Sequence, residues 1–357
     1  MSEKQRKFLN DLILNLNRKL QHCSSIKSKL IIVSELAFLN DFITDNELDI
    51  DFKYDFQSFF NNTKLSLLTV KEDYAFKENY DKMYQSNLKI SALGDSLVQS
   101  FGLKHFGFPQ KKLKLVDAQY LVEIFLKQYD KDIYSFYKSL INSNNIFVFP
   151  LETGTVDSTF SFPTEELSIV YYSNKNTIET ALTIVHETIH AYINSFHYNS
   201  TLEQVSLQNI NNLQEVYTET IELLFLDFAS KINYDKKDII KIHALTNFLM
   251  MKDLTEYNKI LASFEAEDIT SNEKVYLEFL EHECYSYGKV MSKHYYDLYQ
   301  SDPMYAKENL LRLSIDSSLK EKKILLNNYG LEEHNLWSTK KLTKHLKKGK
   351  LYHENIN

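Results

Sequence analysis

The sequence is poor in the residues that usually end helices and strands. Only 7 glycines and 4 prolines occur in 357 residues, whereas a protein built from many short strands needs such residues at its turns. An all-β sandwich or barrel is therefore disfavoured. We predict a mainly helical fold with polar loops, arranged as one large domain or as two lobes that share a cleft.

Cysteines and long apolar runs are also scarce. The two cysteines, Cys23 and Cys284, lie far apart without a C-x-x-C pattern, which supports neither a disulfide framework nor a cysteine zinc site. No stretch approaches the roughly 18 consecutive apolar residues of a membrane-spanning helix. The N-terminal segment has the pattern of an amphipathic helix and not of a secretory signal. We therefore expect a cytoplasmic protein without a membrane partner.

Positive charge is not in excess. The net charge of -7 and the isoelectric point near 5.9 argue against nucleic acid as the main partner. With 43% hydrophobic and 25% charged residues, the composition is that of a globular protein. One local exception is the basic cluster at 340–350, which we interpret as solvated surface without an assigned function.

Helical periodicity covers most of the chain and fails in one segment. Between residues 145 and 172, β-branched and aromatic runs alternate with Pro150, Gly154 and Pro163. Such a pattern predicts a small sheet or β-ribbon, with its last strand at 167–172. The helical pattern then returns and continues to about residue 328, with interruptions at 197–212 and at Ser301-Asp302-Pro303. The spacing of Asn176 and Glu179 predicts that the first of the returning helices is capped at Asn176.

One motif in the returning helical pattern carries a sharp chemical signal. His186, Glu187 and His190 form H-E-x-x-H within the sequence TIVHETIH. Two histidines four residues apart on a helix stack on one face, where both rings can bind one Zn²⁺. Glu187 lies one residue further round the helix and can act on a water as the general base. The motif therefore predicts a zinc-dependent hydrolase.

A catalytic zinc site normally takes a third protein ligand. A glycine three residues and a histidine six residues after the motif would supply one arrangement, but Ile193 and Phe196 occupy those positions. The other arrangement needs a glutamate from a following helix, and three are present at helical spacing: Glu215, Glu219 and Glu222. With Glu215 as ligand, one of the other two could accept the spare ring N–H of a histidine. The alternative is a solvated acidic helix face.

These segments resemble the thimet oligopeptidase and oligoendopeptidase F family of zinc peptidases. They read LSIVYYSNKNTIETALTIVHETIHAY and QEVYTETIELL. In that family a strand leads into an H-E-x-G-H helix, and a glutamate of a following E-V-A-S-x-x-N-E-like helix is the third ligand. Glu215 lies 25 positions after His190, and Glu222 lies seven after Glu215; both spacings agree with the family. The resemblance implies a mainly α, zincin-like metallopeptidase of the glutamate-ligand class, the gluzincins.

The resemblance also assigns roles to individual residues. It implies that zinc is the cofactor, that Glu187 is the base, and that the ligands are His186, His190 and Glu215. It implies that Glu222 supports a histidine ligand by accepting its spare ring N–H, a role for which the helical spacing also leaves Glu219 open. The segment HECYSYGKVMSKHYYDLY looks like the tyrosine-rich helix of the family. Its candidates for stabilising the oxyanion of the transition state are Tyr285, Tyr287 and His282.

A peptide is the expected partner. We expect the strand before the motif, at Ile169 and Val170, to align it by backbone hydrogen bonds. The predicted reaction is hydrolysis of peptide bonds in oligopeptides or in a short protein segment. Two alternatives are a peptide-binding or regulatory protein that keeps the scaffold without cutting, and a purely structural helical protein.

The chain departs from the family in two respects. Ile189 stands at the family glycine of the motif, and the chain is much shorter than the family usually is, as in a shortened, divergent member. We therefore divide it into a reduced helical region, 1–112, a zinc peptidase catalytic region, 113–335, and a basic tail, 336–357.

Overall fold

The computed structural model describes six ranges and a few isolated positions near them: 1–53, 111–151, 156–201, 213–232, 234–243 and 273–320. The described residues fall into two compact units. The first contains those of 1–66 and 112–206, and the second those of 67–111 and 207–357. The basic tail predicted at 336–357 lies outside the described residues. None of the described helices combines the length and apolar character that a bilayer crossing requires.

The first unit combines helices with a small sheet. Its described elements are α1 (Glu3–His22), α2 (Ile26–Asp45), α3 (Leu115–Tyr129), α4 (Lys131–Asn142), β1 (Ile146–Pro150), β2 (Ser158–Phe162), β3 (Leu167–Asn174) and α5 (Ile178–Ser195). The strand order is β1-β3-β2, with β1 parallel and β2 antiparallel to β3. The predicted mainly helical fold, with a small sheet before the H-E-x-x-H helix, is confirmed.

The sheet corrects one prediction about the substrate. β3 is the central strand: Val170 pairs with Ile146 on one side and with Thr159 on the other, while Ile169 pairs with Phe160. Both predicted residues are also buried, with 0% and 1% of their surface exposed. The expectation that Ile169 and Val170 offer a peptide a free backbone edge is therefore wrong. Within the described ranges β2 pairs with β3 alone, which makes β2 an edge strand of this part of the sheet.

The two faces of the sheet are covered by different helices. α1 and α2 bring apolar side chains to one face, where Phe38 stacks on Phe160 with ring centroids 3.9 Å apart. The buried residues of this cluster are Leu9, Leu12, Leu16, Ile32, Leu36, Leu39, Phe42, Phe147, Phe162 and Ile169. Successive strand residues point to opposite faces, and α5 packs on the other face against β2 and β3. The N-terminal helices thus share a unit with the motif helix, a grouping that differs from the predicted boundary at 112.

The start of α5 is set by a threonine cap. The sequence pattern favours Asn176 as the cap, but Asn176 has a positive φ of 53° and the side chain of Thr177 accepts the hydrogen bond from the Glu179 N–H. A capping oxygen satisfies one of the backbone donors that a helix leaves free at its first turn. The helix therefore begins at Ile178, two turns before the motif.

The second unit is helical in its described part. It contains α6 (Gln214–Lys231), α7 (Glu273–Ser301) and α8 (Pro303–Asp316). α6 packs along α7, and α8 packs on both. The predicted break between the last two helices is confirmed: Asp302 caps α8 by accepting from the Tyr305 N–H, and Pro303 occupies the first helical position, where its missing N–H costs nothing.

A buried carboxyl group joins α2 to the connection between β2 and β3. Glu35 is 1% exposed and accepts hydrogen bonds from the backbone N–H of Thr164, at 2.9 Å, and from its hydroxyl, at 2.5 Å. Burial nevertheless raises the pKa of Glu35 from 4.5 to about 7, because the charged form is poorly solvated. The folded protein therefore binds a proton here more tightly than the unfolded chain does.

This raised pKa predicts a pH-dependent stability. The contribution of Glu35 is fully present below pH 4.5 and is lost as the pH rises through about 7. We expect Glu35→Gln to increase the free energy of unfolding by about 1–3 kcal/mol at pH 8 and to change it little at pH 4.5. Urea unfolding of both proteins across this range measures the difference. An equal pH dependence in the two proteins would contradict the prediction.

Candidate metal centre

The motif helix brings its two histidines together. The Nε2 atoms of His186 and His190 are 3.0 Å apart, and the rings meet edge to face. Two nitrogens at zinc-ligand distance from a tetrahedral ion are about 3.4 Å apart. The pair therefore fits shared binding of a metal if both Nε2 atoms are unprotonated. Both rings are partly buried, so they remain accessible to an ion.

The position of these rings follows from the packing of α5. Buried residues of the helix, among them Ile178, Val185 and Ile189, anchor it on the sheet and against α3 and α4. The histidines lie beside this buried stripe. Ile189 stands where the peptidases that the motif resembles carry a glycine; it is 0% exposed and belongs to the core. The departure at this position is thus compatible with the placement of both histidines.

Glu187 is held in place by the edge strand. It is 6% exposed, and the hydroxyl of Thr159 on β2 lies 2.8 Å from its Oε2 atom and 2.9 Å from its backbone oxygen. A hydroxyl that donates to a carboxylate restricts the rotation of that side chain. The predicted base is therefore a buried and oriented carboxylate.

Glu215 belongs to the second unit. It lies in the first turn of α6 and is 7% exposed; the positive end of the helix dipole favours a carboxylate there. The hydroxyl of Thr218 lies 3.1 Å from its Oε2 atom. On α7, Gly288 allows a close approach, because a Cβ at this position would lie 2.5 Å from the Cβ of Glu215.

The other two glutamates of α6 differ in their surroundings. Glu219 is 5% exposed, and its Oε1 atom lies 3.5 Å from the Nζ of Lys289. Glu222 is partly buried. Burial lowers the pKa of Lys293, whereas the charges of Glu219 and Glu222 oppose that shift. A solvated acidic face is therefore the wrong description for Glu215 and Glu219, which are both buried.

The predicted oxyanion donors lie on α7. Tyr285 is partly buried, and the Nζ of Lys289 lies 4.5 Å from the centroid of its ring, a cation–π contact. Residues three apart share one side of a helix, so Tyr285 lies on the same side of α7 as Gly288. His282 is also partly buried. The side chain of Tyr287 lies outside the described residues, and the choice among the three remains a prediction.

Four residues that each contact one of the predicted site residues are missing from the sequence-based prediction. They are Thr159, Thr218, Gly288 and Lys289. The sequence contains an indication of two of them. Alternation along β2 places Thr159 on a polar face with Ser161. Gly288 lies inside a helical pattern, where a glycine is costly enough to indicate close packing. The contacts of Thr218 and Lys289 are made by residue types that are ordinary on helices, so the sequence offers no comparable signal.

The similarities of this chain to known proteins are distant. No family model and no curated protein matches the chain. A solved Bacillus anthracis strain Ames structure, named as an oligoendopeptidase F, is 12% identical with a TM-score of 0.49, over 92% of this chain and 63% of that one. PZ peptidase A with an inhibitor is 11% identical with a TM-score of 0.49, over 92% and 68%. A further oligoendopeptidase F structure is 12% identical with a TM-score of 0.43, over 79% and 58%. This chain thus spans less than two thirds of the Bacillus anthracis protein.

Proposed function

We propose that this protein is a zinc-dependent metallopeptidase that hydrolyses peptide bonds in oligopeptides or in a short protein segment. The observation that carries the proposal is the convergence of the His186 and His190 Nε2 atoms at 3.0 Å, next in sequence to the buried and hydrogen-bonded carboxylate of Glu187. Two imidazoles and an adjacent carboxylate on one helix form the set of groups that zinc hydrolases of this motif use.

The proposed ligands are His186, His190 and Glu215. Two nitrogens and one carboxylate oxygen suit Zn²⁺ and leave a coordination position open. Glu215 is suited to this role because the Thr218 hydroxyl orients its carboxylate, and hydrogen bonds to ligands improve metal binding. We propose that Glu219 or Glu222 accepts a ring N–H that a histidine ligand does not use for the metal.

Different residues of this chain would then have different roles in the hydrolysis. When bound, zinc supplies acidification of a water and polarisation of the scissile carbonyl. Glu187 takes a proton from the attacking water and returns it to the leaving amine. Tyr285, with Tyr287 and His282 as alternatives, donates a hydrogen bond to the carbonyl oxygen as negative charge develops on it.

The outer edge of β2, which pairs with no other strand among the described residues, is the proposed place for the substrate backbone. An extended peptide can add to a sheet edge through main-chain hydrogen bonds, which bind with little sequence selectivity. β2 also carries Thr159, the residue in contact with Glu187. A peptide paired with β2 would therefore run beside the proposed base, whereas β3 is paired on both sides.

Zinc content and cleavage measured together test the proposal. We expect one zinc per chain in the purified protein and in Glu187→Gln, because the substitution removes the base and no ligand. Cleavage of a mixed oligopeptide pool, followed by mass spectrometry, is expected to fall by about 10²–10⁴-fold in Glu187→Gln. Glu179→Gln, on the same helix but two turns before the motif, serves as the matched control and should retain both properties.

Each other outcome of this experiment has a defined meaning. Zinc in both proteins without cleavage by either would favour a peptide-binding or regulatory protein that does not cut. A protein that takes up no zinc after zinc is added would contradict the metal centre. Equal cleavage by the unaltered protein and Glu187→Gln would contradict the assignment of the base.

A further inference from the structure

One face of β2 carries a row of polar contacts. Thr159 and Ser161 alternate with Phe160 and Phe162, so the polar pair faces α5 and the aromatic pair faces α1 and α2. The Ser161 hydroxyl lies 3.0 Å from that of Ser168 on the neighbouring strand, a contact within the sheet. The Thr159 hydroxyl instead contacts a residue outside the sheet, the carboxylate of Glu187 on α5.

The Thr159 hydroxyl has two acceptor atoms of Glu187 within reach. The hydroxyl lies within hydrogen-bond distance of two acceptors of the same residue, the carboxylate at 2.8 Å and the backbone oxygen at 2.9 Å. A hydroxyl has one proton to donate, and an ionised acceptor forms the stronger hydrogen bond. The proton therefore goes to the carboxylate, and Thr159 ties the Glu187 carboxylate to β2.

A buried carboxylate without this donor would be less well defined in position. Three rotatable bonds separate the oxygens of a glutamate from its backbone, and each carboxylate orientation requires its own hydrogen-bond partners. A general base must lie within hydrogen-bond reach of the proton it takes, and small misplacements reduce the rate strongly. The orientation of Glu187 is therefore a property on which the rate depends, and it is set by a residue of the edge strand.

We propose that Thr159 is a positioning residue that fixes the carboxylate of Glu187 from the edge strand β2. This inference rests on the proposed function, because it requires that Glu187 is the base. The same strand would then align the substrate and orient the base. Thr159 contributes its hydroxyl, and not its methyl group, to this role.

Two substitutions separate the hydroxyl from the shape of the side chain. Thr159→Val keeps the branched shape and removes the hydroxyl, while Thr159→Ser keeps the hydroxyl. We expect Thr159→Val to lower kcat at least roughly tenfold with little change in KM or zinc content, and Thr159→Ser to retain most of kcat. Ser161→Ala, which removes a hydroxyl from the same face of β2, is the matched control and should leave kcat unchanged. Equal losses in the Val and Ser variants, or a loss explained by missing zinc, would overturn the proposal.

A second measurement examines the contact without enzyme activity. In metal-free protein, the melting temperatures of Thr159→Val, Glu187→Ala and the double variant form a cycle. We expect the two shifts to be non-additive by about 2 °C or more, whereas additive shifts would overturn the contact. If the unaltered protein cleaves no peptide, the proposed function fails, and Thr159 then has no base to position even when the cycle shows coupling.

Discussion

Lys289→Met is expected to lower the free energy of unfolding by about 3 kcal/mol, because it leaves the buried carboxylate of Glu219 without its cation. The side chains of this ion pair are 8% and 6% exposed, so water cannot replace the lost partner. The expected loss is at the lower end for a broken buried pair, since the charge of Lys293 also acts on Glu219 and Glu222. The substitution also removes the cation above the Tyr285 ring.

Urea unfolding of metal-free protein measures this effect. The double variant Lys289→Met with Glu219→Gln is expected to be more stable than Lys289→Met alone, because the uncompensated charge has been removed. Arg312→Met provides the matched control: its ion pair with Glu308 is 67% and 59% exposed, and its loss should cost at most about 0.5 kcal/mol. Similar losses for Lys289→Met and Arg312→Met would contradict the assignment of a buried pair.

Gly288→Ala is expected to destabilise the protein by about 1–3 kcal/mol. At an ordinary helical position this substitution stabilises by roughly 0.5–1 kcal/mol, because alanine restricts the unfolded chain. Here the added Cβ would lie 2.5 Å from the Cβ of Glu215 and 3.1 Å from its carbonyl carbon. These atoms belong to or adjoin the backbone and cannot move aside cheaply. The sign of the stability change is therefore the informative quantity.

Thermal unfolding of metal-free protein and zinc titration measure the two consequences of Gly288→Ala. We expect a lower melting temperature and, because the clash displaces Glu215, a zinc affinity reduced by about 10-fold or more. Ser292→Ala, at a fully buried position one turn further along α7, is the control and should leave zinc affinity unchanged. A higher melting temperature in Gly288→Ala would show that the two helices do not approach as closely at this point.

Much of the local structure could be predicted from the sequence, because it depends on residues close together in the chain. The spacing of apolar residues predicted the helices, and Asp302 with Pro303 marked a helix boundary that the structure confirms. The β-branched and aromatic run before the motif predicted a strand, observed at Leu167–Asn174. The pairing of His186 with His190 also follows from local geometry, since residues four apart meet on any α-helix.

Other features depended on contacts between distant segments. Among the described strands, the order β1-β3-β2 makes β3 central and β2 an edge, and no local pattern distinguishes a central strand from an edge strand when both are this short. The acidic stripe of α6 could equally have been a solvated face until Glu215 and Glu219 proved to be buried. The cap of α5 is likewise Thr177 and not the expected Asn176, because Asn176 has a positive φ.

By itself, therefore, the sequence determined a mainly helical chain, a short sheet, and a helix that presents two histidines and a glutamate in a spacing suited to zinc chemistry. These properties repeat every two to four residues, and local propensity and periodicity suffice to specify them. Only the tertiary structure decided that Thr159 orients Glu187, that Gly288 makes room beside Glu215, and that Lys289 pairs with Glu219. The residues of each contact lie 28 to 73 positions apart, and they meet because packing of apolar surfaces brings their segments together.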